Sequence, residues 1–154
     1  MKIPAQAKKK TDLFMIGILF FIFVVTLFVV FLRAPEQVAS ASADGVVRID
    51  GTAHDPSVVD IVKLSGAEKS IAGMTAPVYE LSVRGGKTID QAIISYHIPD
   101  SVAGGFDKLT LIAFDPTSLS WKPVLTVVDS HKRIVTTTTA VESSLMIGLG
   151  KKTE

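Results

Sequence analysis

The chain has 154 residues, a formal net charge of +1 and a hydrophobic fraction of 47%. That length allows one ordinary domain, and the near-neutral charge argues against a nucleic-acid binder. There is no cysteine and no Asn, which excludes disulfides, thiolate metal sites, a cysteine nucleophile and an N-glycosylation acceptor.

Residues 1–12 form a basic segment in which Lys2, Lys8, Lys9 and Lys10 outweigh Asp12. Residues 13–32 carry no charge; only Gly17 and Thr26 interrupt the apolar side chains, and six of the eight Phe sit here. At about 1.5 Å per residue this run reaches about 30 Å, the thickness of a bilayer core. The sequence therefore predicts a single transmembrane helix over 13–32, with the lipid bilayer as its partner. Basic residues stay on the cytoplasmic side, so the N-terminus is expected inside and the C-terminal domain outside. Ala39-Ser40-Ala41 and Ala41-Ser42-Ala43 resemble cleavage sites, but the apolar run is longer than the ~7–15 residues of a signal-peptide core. An uncleaved signal-anchor is the favoured reading. A pilin-like start is an alternative, although Thr11-Asp12 precede the run and no Glu lies inside it.

Residues 33–44, rich in Ala and Ser, read as a short tether. Over 45–150 short β-branched runs alternate with turn residues, the pattern of an all-β sandwich or barrel. The expected strands are 46–49, 58–64, 78–83, 92–98, 109–114, 123–128, 134–139 and 144–149. Asp55-Pro56, Ser65-Gly66, Gly85-Gly86, Pro99-Asp100, Gly104-Gly105, Asp115-Pro116 and Asp129-Ser130 supply turns between them. Period-two alternation places Tyr79, Leu81 and Val83 on one face, with Ile94, Tyr96 and Ile98 pointing inward, and likewise Leu145, Ile147 and Leu149. Stretch 66–75 reads as a loop or helical turn, and 151–154 as a tail. The expected fold class is all-β: an antiparallel β-sandwich of about seven or eight strands behind one N-terminal transmembrane α-helix.

Several of these segments share a cadence: Tyr79–Val83, Ile93–Pro99, Leu109–Phe114, Ser120–Val124 with its Trp121-Lys122-Pro123 step, Thr126–Asp129 and Ser144–Gly148. Over residues 75–149 this resembles the β-sandwich of the ZU-five and GPCR-autoproteolysis-inducing group. The resemblance implies a β-sandwich and either self-cleavage at a His-Phe-Ser step or service as an interaction platform. The matching positions here are Glu142, Ser143 and Ser144. Ser144 keeps the hydroxyl, but no imidazole stands at 142 to take its proton, so no self-cleavage is expected.

Trp121, at the start of a strand, is expected to cover one end of the core. Candidate chemistry is sparse. His54-Asp55 with Asp50 is the nearest approach to a metal or enzyme site, and Asp50 and Asp55, with Asp60 as a further candidate, could supply oxygens to a Ca²⁺ ion, but no EF-hand or RTX-type spacing is present. His97 and His131 are expected on the surface. Gly85-Gly86-Lys87-Thr88 lacks the first Gly of a phosphate loop and reads as a hairpin turn. No serine sits in a nucleophile-elbow context. Residues 44–150 hold nine basic and twelve acidic residues, a mixed, mildly acidic surface. No catalytic, cofactor or metal site is assigned. The expected function is a non-enzymatic protein-binding or scaffolding module of an envelope or cell-surface assembly. A pilin-like filament subunit and a metal- or ligand-binding secreted domain, enzymatic or not, are the alternatives.

Overall fold

The computed structural model describes residues 5–32, 35–53, 57–66, 71, 73–85 and 88–152. The chain divides into two units, Met1–Ala34 and Pro35–Glu154. The first contains one α-helix, α1 (Ala5–Leu32). Its described side chains, 15–29, are all exposed, from 41% at Ile18 to 69% at Phe21. A helix that packs on a soluble core shows one apolar stripe and one polar face; this one is apolar all round. Among the described residues no helix is long and apolar enough to cross a membrane. The described side chains fall short of the ~20 residues that a span needs, so the structure supplies a helix and does not itself support the transmembrane part of the expectation.

Among its described residues the second unit holds ten strands in two five-stranded antiparallel sheets, more than the seven or eight expected. The first sheet runs in the spatial order β1 (Glu36–Ala41), β2 (Val47–Ala53), β5 (Ile89–His97), β9 (Ile134–Val141), β8 (Val127–Asp129). The second runs β3 (Val58–Leu64), β4 (Met74–Arg84), β10 (Ser144–Lys151), β6 (Leu109–Asp115), β7 (Ser120–Pro123). The alternation read from the sequence places the core as expected. Val47, Ile49, Ile94 and Tyr96 of the first sheet and Tyr79, Leu81, Leu111, Ile147 and Leu149 of the second are fully buried in one cluster. Each such aliphatic side chain contributes about 1.5–3 kcal/mol by leaving water. Tyr79 and Tyr96 meet edge to face, ring centroids 5.7 Å apart, and both buried hydroxyls donate hydrogen bonds, Tyr96 to the Pro77 carbonyl at 2.7 Å.

Four expectations need correction. The tether assigned to 33–44 contains β1, a strand of six residues paired with β2 from Glu36↔Ala53 to Ala41↔Arg48. The compact unit therefore starts at Pro35, not at 45. Ala and Ser have modest strand propensity, and pairing with β2 plus burial of Val38 outweighs it. Both Ala-Ser-Ala sequences overlap this strand, so a cut at either would detach Val38 from the core. The run 123–128 is not one strand. β7 belongs to the second sheet and β8 to the first, and residues 124–126 cross between them. The tail begins late: β10 extends to Lys151, and the Lys152 N–H donates to the Lys108 carbonyl at 2.8 Å. Trp121 is outside the core. It pairs with Phe114 across β6 and β7, centroids 5.5 Å apart, on the face opposite Leu111.

Gly150 is required by a close approach. A Cβ there would meet Ile112 Cδ1 and lie 2.9 Å from the Gly73 carbonyl oxygen. The side chain could move, but the backbone oxygen could not. Gly150→Ala is expected to destabilise the domain by about 1–3 kcal/mol. Denaturant unfolding followed by Trp121 fluorescence will read this as a lowered midpoint with an unchanged slope.

Candidate functional site

The residues singled out for chemistry are dispersed. Asp50 lies on the solvent face of β2, held by Arg48 through Nε at 2.7 Å and a second guanidinium nitrogen at 2.8 Å. The Arg48 hydrogen bond and charge outweigh partial burial and hold this carboxyl below the usual range. Asp60 lies on the solvent face of β3, in the other sheet, and pairs with Arg84. Asp50 and Asp60 thus point away from each other on opposite sides of the sandwich, so Asp60 does not join Asp50 in a common site. His54 and Asp55 lie outside the described residues. Among the described residues no group of three or more His, Asp or Glu converges.

His97 is exposed on the solvent face at the end of β5, and His131 is exposed in the turn before β9. Gly85 takes a left-handed φ of 84° after β4, as a turn requires, while Gly86 and Lys87 are outside the described residues. Gly104 and Gly105 are likewise left-handed. Glu142 and Ser143 form an exposed turn between β9 and β10, Ser144 opens β10 and is also exposed, and the Ser143 carbonyl accepts the Val83 N–H at 2.8 Å.

What the structure adds is an edge. At one side of the sandwich the sheets are laced together. Val124 N–H donates to the Leu111 carbonyl at 2.9 Å, and Thr137 Oγ1 donates to the Leu125 carbonyl at 2.8 Å. The strands there, β7 and β8, have four and three residues. At the other side β1 and β3, six and seven residues long, lie side by side, and among the described residues no strand lies beyond them. The backbone direction on β3 follows from its neighbours. Val83 N–H points to Ser143, away from β3, so Arg84, Ser82, Glu80 and Val78 bond Val58, Asp60, Val62 and Leu64. Val59, Ile61 and Lys63 therefore turn their N–H and C=O groups outward. The Val59 carbonyl is engaged by Ser40 Oγ of β1 at 2.8 Å. A shallow groove of about 520 Å³ runs along this edge, lined by Ser40, Ala41 and Ala43 on one side and Val59, Ile61 and Val62 on the other.

One end of the groove is closed by a polar cluster around Asp44. Tyr79 Oη donates to Asp44 Oδ2 at 2.7 Å, Ser42 Oγ to Oδ1 at 2.8 Å, the Val46 N–H to Oδ1 at 3.3 Å, and Lys63 Nζ lies 3.4 Å from Oδ2. Partial burial pushes the Asp44 carboxyl up, but these donors together outweigh it and hold the group at about 2. Burial first, then the bond to the Asp44 carboxylate and its charge, push the Tyr79 phenol up. The cluster was not visible in the sequence because Asp44 fell in the assigned tether, 35 residues from Tyr79. A second missed residue is Arg133, left-handed at φ 55°, which donates to the Pro99 carbonyl at 2.8 Å and sits over the Phe106 ring at 5.1 Å. It ties the 98–106 connection to the start of β9.

Asp44 has a depressed folded value, so its contribution to stability is present above about pH 4, its unfolded range, and is lost as pH falls through about 2. Tyr79→Phe removes the donor and leaves the ring. The variant is expected to lose about 1.5–3 kcal/mol at neutral pH and to show a flatter stability curve between pH 4 and 2. Denaturant titrations at several pH values check both. No match emerges between this chain and known protein families, curated proteins or solved structures.

Proposed function

We propose that the chain is a single-pass membrane protein, N-terminus in the cytoplasm, whose β-sandwich acts outside as a non-enzymatic protein-binding module. One observation carries the membrane part: an uncharged run over 13–32 whose described side chains are exposed on every face of α1. Water-facing Phe, Leu and Ile in such density favour a lipid surround. The binding part is supported by the open β1/β3 edge and by the dispersal of the titratable groups. The resemblance of 75–149 to the ZU-five and GPCR-autoproteolysis-inducing group, which includes interaction platforms, belongs to the same proposal.

The absence of cysteine permits a direct test of topology. In intact cells a membrane-impermeant maleimide is expected to label Leu125→Cys, at a side chain 93% exposed, and to spare Lys9→Cys until lysis. The protein should also stay in the pellet after alkaline carbonate washing. The opposite labelling pattern, or release by carbonate, contradicts the proposal. The module is further expected to run as one intact chain on denaturing gels. A fragment ending at Ser143 would show that Ser144 is activated without a histidine.

A further inference from the structure

We infer that the end of the sandwich where β10 stops holds an anion site, and that its ligand is a doubly charged oxyanion of the phosphate-monoester class. The site goes beyond the proposed protein-binding role and does not rest on it.

A pocket of about 430 Å³ lies there, bordered by Thr75, Ser101, Gly104, Gly105, Lys108 and Lys151 among others, a size within the range of small-molecule sites. Three features of the fold build it. Lys151 continues the inward parity of Ile147 and Leu149 and stands opposite Leu109 of β6, so period two brings it to the open end of the core. Lys108 leads into β6 beside it, where its carbonyl accepts the Lys152 N–H at 2.8 Å. The 98–106 connection forms the remaining wall. Arg133 draws the Pro99 carbonyl, at 2.8 Å, and the Val102 carbonyl, at 3.4 Å, to its own side. The N–H groups of Ala103, Gly104 and Gly105 meet no acceptor among the described residues. Gly104 and Gly105 are both left-handed, at φ 69° and 64°, with open space where a Cβ would stand. Turns of this kind offer successive backbone N–H groups to an anion.

The charges state the sign and size of the guest. No acidic residue is among the described residues that border the pocket. Elsewhere on the sandwich described cations lie against carboxylates, Arg48 on Asp50, Arg84 on Asp60, Lys122 on Asp115 and Lys132 on Asp129. Asp100, in the same connection, lies 3.6 Å from Arg133. Two ammonium groups match a phosphate monoester, which carries about −1.5 to −2 charges at pH 7; a lone carboxylate would balance one of them. Lysine serves such a group as a point charge, without the planar fork that favours carboxylates. Val102 and Leu109 add apolar lining for a short carrier of the phosphate.

The test uses the full chain, isotope-labelled, in phosphatidylcholine nanodiscs, titrated with inorganic phosphate at constant ionic strength. The expected result is a saturable shift of the Ala103, Gly104 and Gly105 amide resonances, half complete below about 5 mM. Lys108→Gln and Lys151→Gln, at exposed side chains, should each weaken binding about fivefold or more. Lys132→Gln, which removes a cation paired with Asp129, should leave it unchanged, and unaltered unfolding midpoints will show that lost binding is not lost folding. Nanodiscs of equal parts phosphatidylcholine and phosphatidic acid identify the source. The same shifts without added phosphate assign the site to a lipid headgroup; shifts with free phosphate alone assign it to a soluble phosphate. Three results overturn the inference: no saturable shift up to about 20 mM phosphate, equal shifts from chloride, or undiminished affinity in both the 108 and 151 variants. None of these touches the maleimide labelling or the protein-binding role, so failure of the anion site and failure of the proposed function are distinguishable.

Discussion

A tyrosine buried to its hydroxyl must find a partner for that hydroxyl, and Tyr79 finds it in Asp44. That bond joins β4 of one sheet to the β1–β2 turn of the other. An unpaired buried hydroxyl costs about 1–3 kcal/mol, so the turn is held wherever the Tyr79 ring is held. The ring in turn is fixed by the core and by Tyr96. The same carboxylate collects Ser42, the Val46 N–H and Lys63, and Ser42 Oγ accepts the Val47 N–H at 2.9 Å. One charged group thereby sets the corner from which β1 runs back along β2.

The position of β1 determines the character of the whole surface. With β1 and β3 side by side and Ser40 stitched to Val59, the sandwich has one side laced by the 124–126 crossing and one side where the two edge strands meet. On the laced side residues 124–126 pass from one sheet to the other, and Thr110 and Thr137 bind carbonyls of that crossing. Short strands there leave few groups for another chain to pair with. The open side has longer strands, small groove-facing residues and two exposed valines.

Much of this organisation was legible in the sequence. The boundaries of β3 coincide with the run read at 58–64, because Leu64 is followed directly by the Ser65-Gly66 turn. The inward faces of β4, β5 and β10 followed from period-two alternation, since a slip of one residue would expose the core. The helix followed from its unbroken apolar run. The missed pieces share a cause: they depend on residues distant in sequence. β1 is Ala- and Ser-rich and becomes a strand only through β2. The break between β7 and β8 carries no Gly, and its cause is a change of sheet. Trp121 followed the parity of Phe114 outward, where strand-end position alone suggested the core. The Asp44–Tyr79 bond and the outward groups of β3 follow from strand order, and no short motif records them.

The central claim is that residues 36–41 are a paired edge strand anchored through Asp44, not a tether. Residue-resolved hydrogen exchange on the free full-length protein tests it most directly. The account predicts alternation along the segment: slow exchange at Val38 and Ser40, whose amides face β2, and fast exchange at Gln37, Ala39 and Ala41, whose amides face outward. Uniformly fast exchange from 36 to 44 would contradict it. It would remove β1 from the sheet and, with it, the groove beside β3.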